Sequence, residues 1–588
     1  MVLLILDAFL KKITMKKIFL LLILSANGLA QNPILAQSDT ASLKKDTLRR
    51  VEIRATRRDN FTSTLNPLNV ETIGAGELKK AACCNLSESF ETNGTVDVAY
   101  SDAVTGAKEL QMLGLRGAQT QVLVEGRTDL AGLAQPYGLE YLPGTWLSDI
   151  ALSKGASTVA LGVNGIAGQI NACLKQPENM ERLFVNLFAS SDARTEANLH
   201  FSHRFSDSVS TALLLHYTNM WWKLDNNKDN FADMPHRQQY NMLNRWKLTG
   251  KNWIAQINAQ ALRENRDGGS IDTVANEHAH HGGAAGYNFG MQTERLQLYG
   301  KYGYTGFAHP YQSFGSIYSL TQQTMVGNFG TNAFVGNQAT AVANFLYETI
   351  ITDTNNKLKL GVGYTYDRYS EKLAGGEKTY AQSRTEQTPH AFAEYNFSGV
   401  KNLNILTGIR LEYSTLYGAQ IVPRANVKYN FDENTVVRAS AGRGVRTASV
   451  LPENFAWLTS DRILQVQNNI QQETAWNYGV NFTHNFQFDM HTGSLTLDVY
   501  RTDFSNQIVT DLDTDAQTIF IRNSAGQRSF ANSAMLSASY ILLPRLELRA
   551  AYKYTDAQQT TGGVLQSRVL TAPHRALLNL NYKTFDKS

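Results

Sequence analysis

The sequence is most informative first in what it lacks. Only three cysteines occur in 588 residues, too few for a disulfide framework. Charged residues are 18%, below the share of about a quarter usual in soluble chains. The net charge of +4 is small for this length and offers nucleic acid no basic surface. Beyond the first thirty residues no apolar run reaches the roughly 18 residues of a membrane helix, which excludes helical spans from the mature chain. Nucleophile elbow, P-loop, HExxH and paired CxxC are all missing. Scattered Ser, His and Asp do not assemble into a triad, so the chain reads as no enzyme and implies no cofactor.

Aromatic residues, by contrast, are abundant: 26 Tyr and 26 Phe bring the aromatic share to 10%. Residues 1–30 read as an export signal, with Met15-Lys16-Lys17 as the basic start, Ile18 to Leu24 as the apolar stretch, and Gly28-Leu29-Ala30 before a cut at Gln31. Met15 begins a normal signal by itself and is the expected true start; a second cleavage point follows Ala36. The adjacent Cys83 and Cys84 could hold a soft metal, form a vicinal disulfide, or sit as small buried residues, and the last is favoured because neighbours bridge poorly.

Residues 110–177 carry short apolar strands separated by glycines: Leu115-Arg116-Gly117, Val122-Leu123-Val124-Glu125-Gly126, Ile150-Ala151-Leu152-Ser153-Lys154-Gly155 and Gly165-Ile166-Ala167-Gly168-Gln169-Ile170-Asn171. By itself this could be a glycine-rich soluble α+β domain. The four blocks in this order resemble the plug of TonB-dependent outer-membrane receptors, and the stretch 83–98 is especially similar to one Bacteroidetes subfamily. A capped helix is expected after Asn85.

From Arg182 onward, segments of roughly ten residues alternate. Leu199, Phe201, His203 and Phe205 oppose Asn198, His200, Ser202 and Arg204; Val209, Thr211, Leu213, Leu215 and Tyr217 oppose Ser210, Ala212, Leu214, His216 and Thr218. So regular a polar face suits a plugged or water-filled lumen, with the other face toward lipid. Tight turns at 206–208 and 249–252 alternate with long connections at 223–238 and 267–291, and short ones face the periplasm in such barrels. Pro423-Arg424, Ala441-Gly442-Arg443-Gly444-Val445-Arg446 and Tyr500-Arg501-Thr502-Asp503-Phe504 resemble later strands of the same family.

The expected fold is thus mainly β: a transmembrane antiparallel β-barrel (179–588) with an N-terminal α+β plug (66–178) in its lumen, behind a periplasmic linker (31–65). Within that linker, Thr47, Leu48, Arg49, Arg50, Val51, Glu52 and Ile53 resemble a TonB box, an extended segment that pairs as an added strand with TonB. The family closes with about 22 strands, whereas roughly sixteen to eighteen are countable here, so the expectation is a chain missing about four to six at its C-terminus.

The resemblance implies outer-membrane location in a Gram-negative bacterium, with plug and box facing the periplasm and with partners TonB, lipid and a small-molecule or metal-complex ligand. The implied function is TonB-dependent uptake, of a ferric siderophore or other metal complex first. The alternative is a passive barrel acting as adhesin or phage receptor. Glu277, His278, His280 and His281 could converge on a metal or haem iron, or form a solvated loop. Met112 is expected to pack and Arg116 to pair with a carboxylate of the wall; Trp146, Trp221, Trp222 and Tyr217 could belong to an interfacial girdle, the preferred reading for those on strands, or the tryptophans to a ligand-facing vestibule.

Overall fold

Short strands linked by glycine turns, then long alternating ones, produce two nested sheets. The computed structural model describes residues 60–62, 66–80, 84–271, 286–375, 378–460, 462–524, 526–543 and 545–582. The chain divides after Asp59, and all of these belong to the second part.

The inner domain is a six-stranded mixed sheet in the order Asn60–Thr62, Val70–Gly74, Leu147–Lys154, Gly168–Leu174, Thr120–Val124, Arg127–Thr128. Its first strand lies inside the stretch read above as linker. Thr120–Val124 and Gly168–Leu174 run parallel and the other neighbours antiparallel. A smaller sheet (Val96–Tyr100, Lys108–Met112, Leu115–Arg116) and the helix Ala75–Lys80 complete the α+β unit. The apolar residues picked out by sequence form its core: Leu110, Met112, Leu115, Val124, Ile150, Leu152 and Ile170 are all buried. Met112 packs, as expected. Trp146 is wholly buried in this core and belongs to no girdle. Where a helix was expected after Asn85, a single 3-10 turn forms at Glu88–Phe90; Asn85 Oδ1 accepts the N–H of Ser87 at 3.0 Å.

The outer sheet is antiparallel and contains nineteen strands, from Leu183–Ala189 to His574–Tyr582. Val564–Ser567 and His574–Tyr582 share one neighbour, Leu546–Thr561, so one is a hairpin extension of the wall and not a further position around it. Period-2 alternation works as the sequence implies. Asn198, His200, Ala212 and Leu214 point inward and are buried, while Phe201, Val362, Ile421 and Leu497 face out. No helix among the described residues is long and apolar enough to cross a membrane, which says nothing of strands. The first and last strands do not pair with each other.

Turn lengths follow the expected parity only in part. One rim carries only short connections, among them 205–208, 250–252, 351–355, 431–434 and 489–490. The opposite rim mixes long ones (221–235, 270–287, 447–472, 507–529) with hairpins as tight as 330–331 and 415–417. Beside those hairpins the strands themselves lengthen: Asn332–Ile350, Asn356–Gly375 and Lys378–Phe397 have 19, 20 and 20 residues. That is about twice what a bilayer crossing requires. There the wall, in place of a loop, rises past the membrane.

The inner domain is locked to this wall by buried charge. Glu125 shows how local geometry sets such a contact. Val124-Glu125-Gly126-Arg127 is a two-residue hairpin in which Glu125 and Gly126 have φ of 53° and 79°, the left-handed pair that hairpins of this length prefer. The turn aims the Glu125 carboxylate at Arg245 Nη2, 2.7 Å away, with both side chains almost fully buried. Lys154 meets Asp498 at 2.7 Å, Glu88 meets Arg194 at 2.8 Å, and Glu77 meets Arg549 at 3.2 Å. Removing one member of such a pair strands a buried charge, at about 3–5 kcal/mol.

Candidate functional site

The hydrophilic interior converges beneath the rim that carries the long connections. Residues 447–472 leave the strand Thr435–Arg446 and fold inward, through a 3-10 turn at Pro452–Asn454 and a short helix at Phe455–Leu458. Leu451, Phe455 and Leu458 are buried in one cluster with Leu133, Tyr137 and Tyr141 of the inner domain and Phe329 and Phe334 of the wall. The Phe455 ring lies 5.1 Å from Phe329, 5.2 Å from Phe334 and 6.1 Å from Tyr137, each edge-on, the arrangement aromatic quadrupoles favour. Arg446 grips Glu453 with a bidentate fork, 2.8 Å on both arms. Leu451 N–H donates to Glu371 of the wall at 3.1 Å.

A second connection completes this cap. Ile463–Val466 runs parallel to Thr518–Asn523, which pairs antiparallel with Ile508–Asp511. Val450, Ile519 and Ile521 are buried under that small sheet. Two long connections are therefore knitted into one lid over the inner domain.

Between lid and inner domain lies a chamber of about 90 Å³ lined by Lys108, Glu109, Arg116, Glu453, Trp457 and Arg568, among others. Arg116 does meet a carboxylate, but it is the domain's own Glu109, at 2.9 Å. The hairpin that carries both residues brings them together, and the lid contributes only the Glu453 carbonyl, 2.6 Å from Arg116 Nη2. Arg568 Nη1 donates to the Gly114 carbonyl at 3.0 Å. Guanidinium forks and an indole face in one small chamber are the groups that bind a polar, anionic or chelated ligand.

There are two fully buried charge clusters, one bordering this chamber through Lys108 and the other, around Asp129, bordering a second cavity. Glu140 receives Arg237 at 2.7 Å, Arg266, and Lys108 at 3.8 Å, with the Tyr137 ring 3.8 Å from the Arg266 guanidinium. Burial alone would raise the Glu140 carboxyl, yet Arg237 and then Arg266 hold it far below the usual carboxylate range. Asp129 sits 2.9 Å from Arg127 and 2.7 Å from Arg295, and these two cations likewise overcome its burial and depress its pKa. Glu453 is depressed by Arg446 against the same burial penalty.

The residues singled out from sequence fall mostly elsewhere. Thr47 to Ile53 lie outside the described residues, as do Glu277, His278, His280, His281 and Cys83. No cluster of three or more His, Cys, Asp or Glu side chains is arranged for a metal among the described residues. Cys84 is buried. Trp221 and Trp222 are exposed in the 221–235 connection. Sequence reasoning passed over Glu453, Phe455 and Trp457. The run Leu451-Pro452-Glu453-Asn454-Phe455-Ala456-Trp457-Leu458, apolar inside a polar connection, was the available signal.

An α+β domain charge-locked inside an antiparallel strand wall, under an in-folded lid, defines a plugged β-barrel. The family profile "TonB dependent receptor-like, beta-barrel" matches residues 186–587, and the chain belongs to that family. Among solved structures it resembles the siderophore receptor PirA from Pseudomonas aeruginosa (14% identity, TM-score 0.62, covering 88% of this chain and 93% of that one). It also resembles the alcaligin outer-membrane receptor FauA from Bordetella pertussis (12%, 0.62, 88% and 84%) and the copper transporter OprC (13%, 0.67, 89% and 84%). At these identities the likeness is one of fold. No curated protein matches the sequence.

Proposed function

We propose that this chain is a TonB-dependent transporter of the outer membrane, importing a scarce hydrophilic ligand, with a ferric siderophore or another metal complex as the first candidate class. One observation carries this reading: the plug fills the wall's interior through buried ion pairs, so an energy input is needed to open it. A passive pore or an adhesin has no use for an obstruction held this tightly. The solved structures of similar fold include proteins described as siderophore receptors and as a copper transporter, which supports metal complexes as the ligand class. The charged chamber under the lid supports a polar ligand over an apolar one.

In this reading the short-turn rim faces the periplasm, and Thr47 to Ile53 recruit TonB by strand addition. Glu277, His278, His280 and His281 offer a metal or haem its first contact. The protein works as a binder and conduit and has no catalytic role.

The test is growth of a receptor-deletion strain complemented with this chain under iron, copper or zinc limitation. Restored growth that vanishes without TonB, or without residues 47–53, is the expected result. Uptake that survives both losses would establish the passive barrel instead.

A further inference from the structure

The plug does not meet the wall evenly. Between it and the strands Ser313–Phe329, Asn332–Ile350, Asn356–Gly375 and Lys378–Phe397 runs a cavity of about 220 Å³. On the wall side Thr340, Thr365, Arg384, Glu386, Thr388 and His390 line it; residues 161–164 line it from the plug together with Arg127, Asp129 and Gly132. Ser414 and Gln420, which flank the 415–417 hairpin, mark its upper end at the lidded rim. The lining on Lys378–Phe397 extends from Arg384 to His390, so the slot is about 20 Å deep at the rise of a strand. Its base is the registered row Asn344–Gly363–His390. There Asn344 Oδ1 and His390 Nε2 are buried with no hydrogen-bond partner among the described residues. Buried polar atoms of this kind are ordinarily satisfied by solvent or ligand, so the slot suits hydrophilic cargo.

Immediately below His390, one plug loop, residues 156–165, meets the wall from the strand Lys378–Phe397 onward. The next inward residue after His390 is Phe392, and after it Glu394 accepts the Val159 N–H at 3.2 Å and the Thr158 hydroxyl. Glu394, Gly408, Arg424, Gly442 and Asn477 are successive Cα partners across five strands, a single row around the wall. The loop lies on this row because the two glycines make room. A Cβ at Gly408 would stand 2.6 Å from Val159 Cγ2, and one at Gly442 would stand 2.7 Å from Ala156 Cβ. Arg424 then ties the loop down through Ser157 Oγ at 3.3 Å and the carbonyls of Thr158 and Val163, both at 3.1 Å.

We infer that the slot along residues 313–397 is the route of the cargo and that loop 156–165 is its gate. Opening then requires release of the Glu394–Arg424 row, and the plug as a whole stays in place. This rests on the transport reading above. The asymmetry of the contacts carries it. Releasing the loop breaks hydrogen bonds to the side chains of Glu394, Arg410 and Arg424 and to the Val445 N–H, all made by neutral groups of the loop. Expelling the plug would strand the buried pairs Glu88–Arg194, Glu125–Arg245, Asp129–Arg295, Glu140–Arg266 and Lys154–Asp498 together.

Cysteine labelling of intact cells with a membrane-impermeant maleimide tests this, the unsubstituted chain setting the background from Cys83, Cys84 and Cys173. T340C, in the slot, is expected to label with or without a proton gradient. N396C, the inward position beyond Glu394, is expected to label only with the gradient intact. Adding the V159C/G408C pair, whose closeness allows a disulfide, is expected to cut N396C labelling at least tenfold while leaving T340C unchanged, and reduction should restore it. Should the pair fail to fold, R424A provides the opposite arm: N396C labelling without any gradient. Labelling of N396C through the locked loop, protection of T340C, or no N396C labelling under any condition would each overturn the gate. Labelling of N396C that ignores the gradient yet is abolished by the lock would keep the gate and refute the TonB coupling.

Discussion

The two flanks of the plug are held by different physics. Toward residues 394–477 the contact is close-packed and polar, with glycines on the wall and loop 156–165 seated on them. Toward residues 340–390 the wall stands off and leaves a hydrophilic slot, next to the contacts that Leu133 makes with Phe334 and Gln338. Elsewhere the plug hangs on single buried ion pairs such as Glu125–Arg245. The difference separates two jobs within one small domain. Ion pairs anchor it, because a stranded buried charge is costly. The seated loop closes it with hydrogen bonds and van der Waals contact that can be remade cheaply.

Substitutions that strip an anchor should have the largest effect. Glu125→Gln leaves Arg245 buried without a carboxylate, and unfolding followed by circular dichroism in detergent should show a loss of about 3–5 kcal/mol. A loss under about 1 kcal/mol would mean that the anchors are dispensable.

Acid should attack the same anchors together. Glu140, Asp129 and Glu453 all have folded pKa values below their ordinary 4.5, 3.8 and 4.5. Depressed carboxyls contribute stability that is fully present above those ordinary values and lost as pH falls through the folded ones. A plateau from about pH 8 to pH 5 is expected, then a decline below about pH 4 of roughly 1.4 kcal/mol per pH unit for each group. Stability that rises on acidification would contradict the ion pairing.

On the seated flank, Gly442→Val drives a side chain into Ala156 and should cost about 1–3 kcal/mol by overpacking. It should also raise N396C labelling, which an anchor variant of equal destabilisation should not. The smallest effect belongs to the slot. Thr365→Ala faces the cavity and should change stability by no more than about 0.5 kcal/mol; a larger change would show that the slot is packed.

Much of this architecture was legible in advance, and the failures are instructive. The strand wall could be read because its side chains alternate with period 2, a local property of each segment. The parity of turns held until the 330–331 hairpin, then broke, because the wall there extends by lengthening strands that no turn-length rule can detect. Arg116 was assigned to the wall, yet a two-strand hairpin brings Glu109 of its own domain nearer. Trp146 read as interfacial from its composition alone, whereas the plug core encloses it. Residues 451–458 escaped notice because a loop folded into a lumen looks, in sequence, like any connection on a surface.

The sequence by itself determined the class of the protein: a helix-poor chain with a glycine-punctuated plug followed by alternating strands. Each of those features depends on neighbours a few positions apart. The tertiary structure alone decided which charges pair, which glycines admit the plug loop, and where the slot lies. Those facts depend on register, and Glu394, Gly408, Arg424, Gly442 and Asn477 become one row only when five strands are aligned side by side.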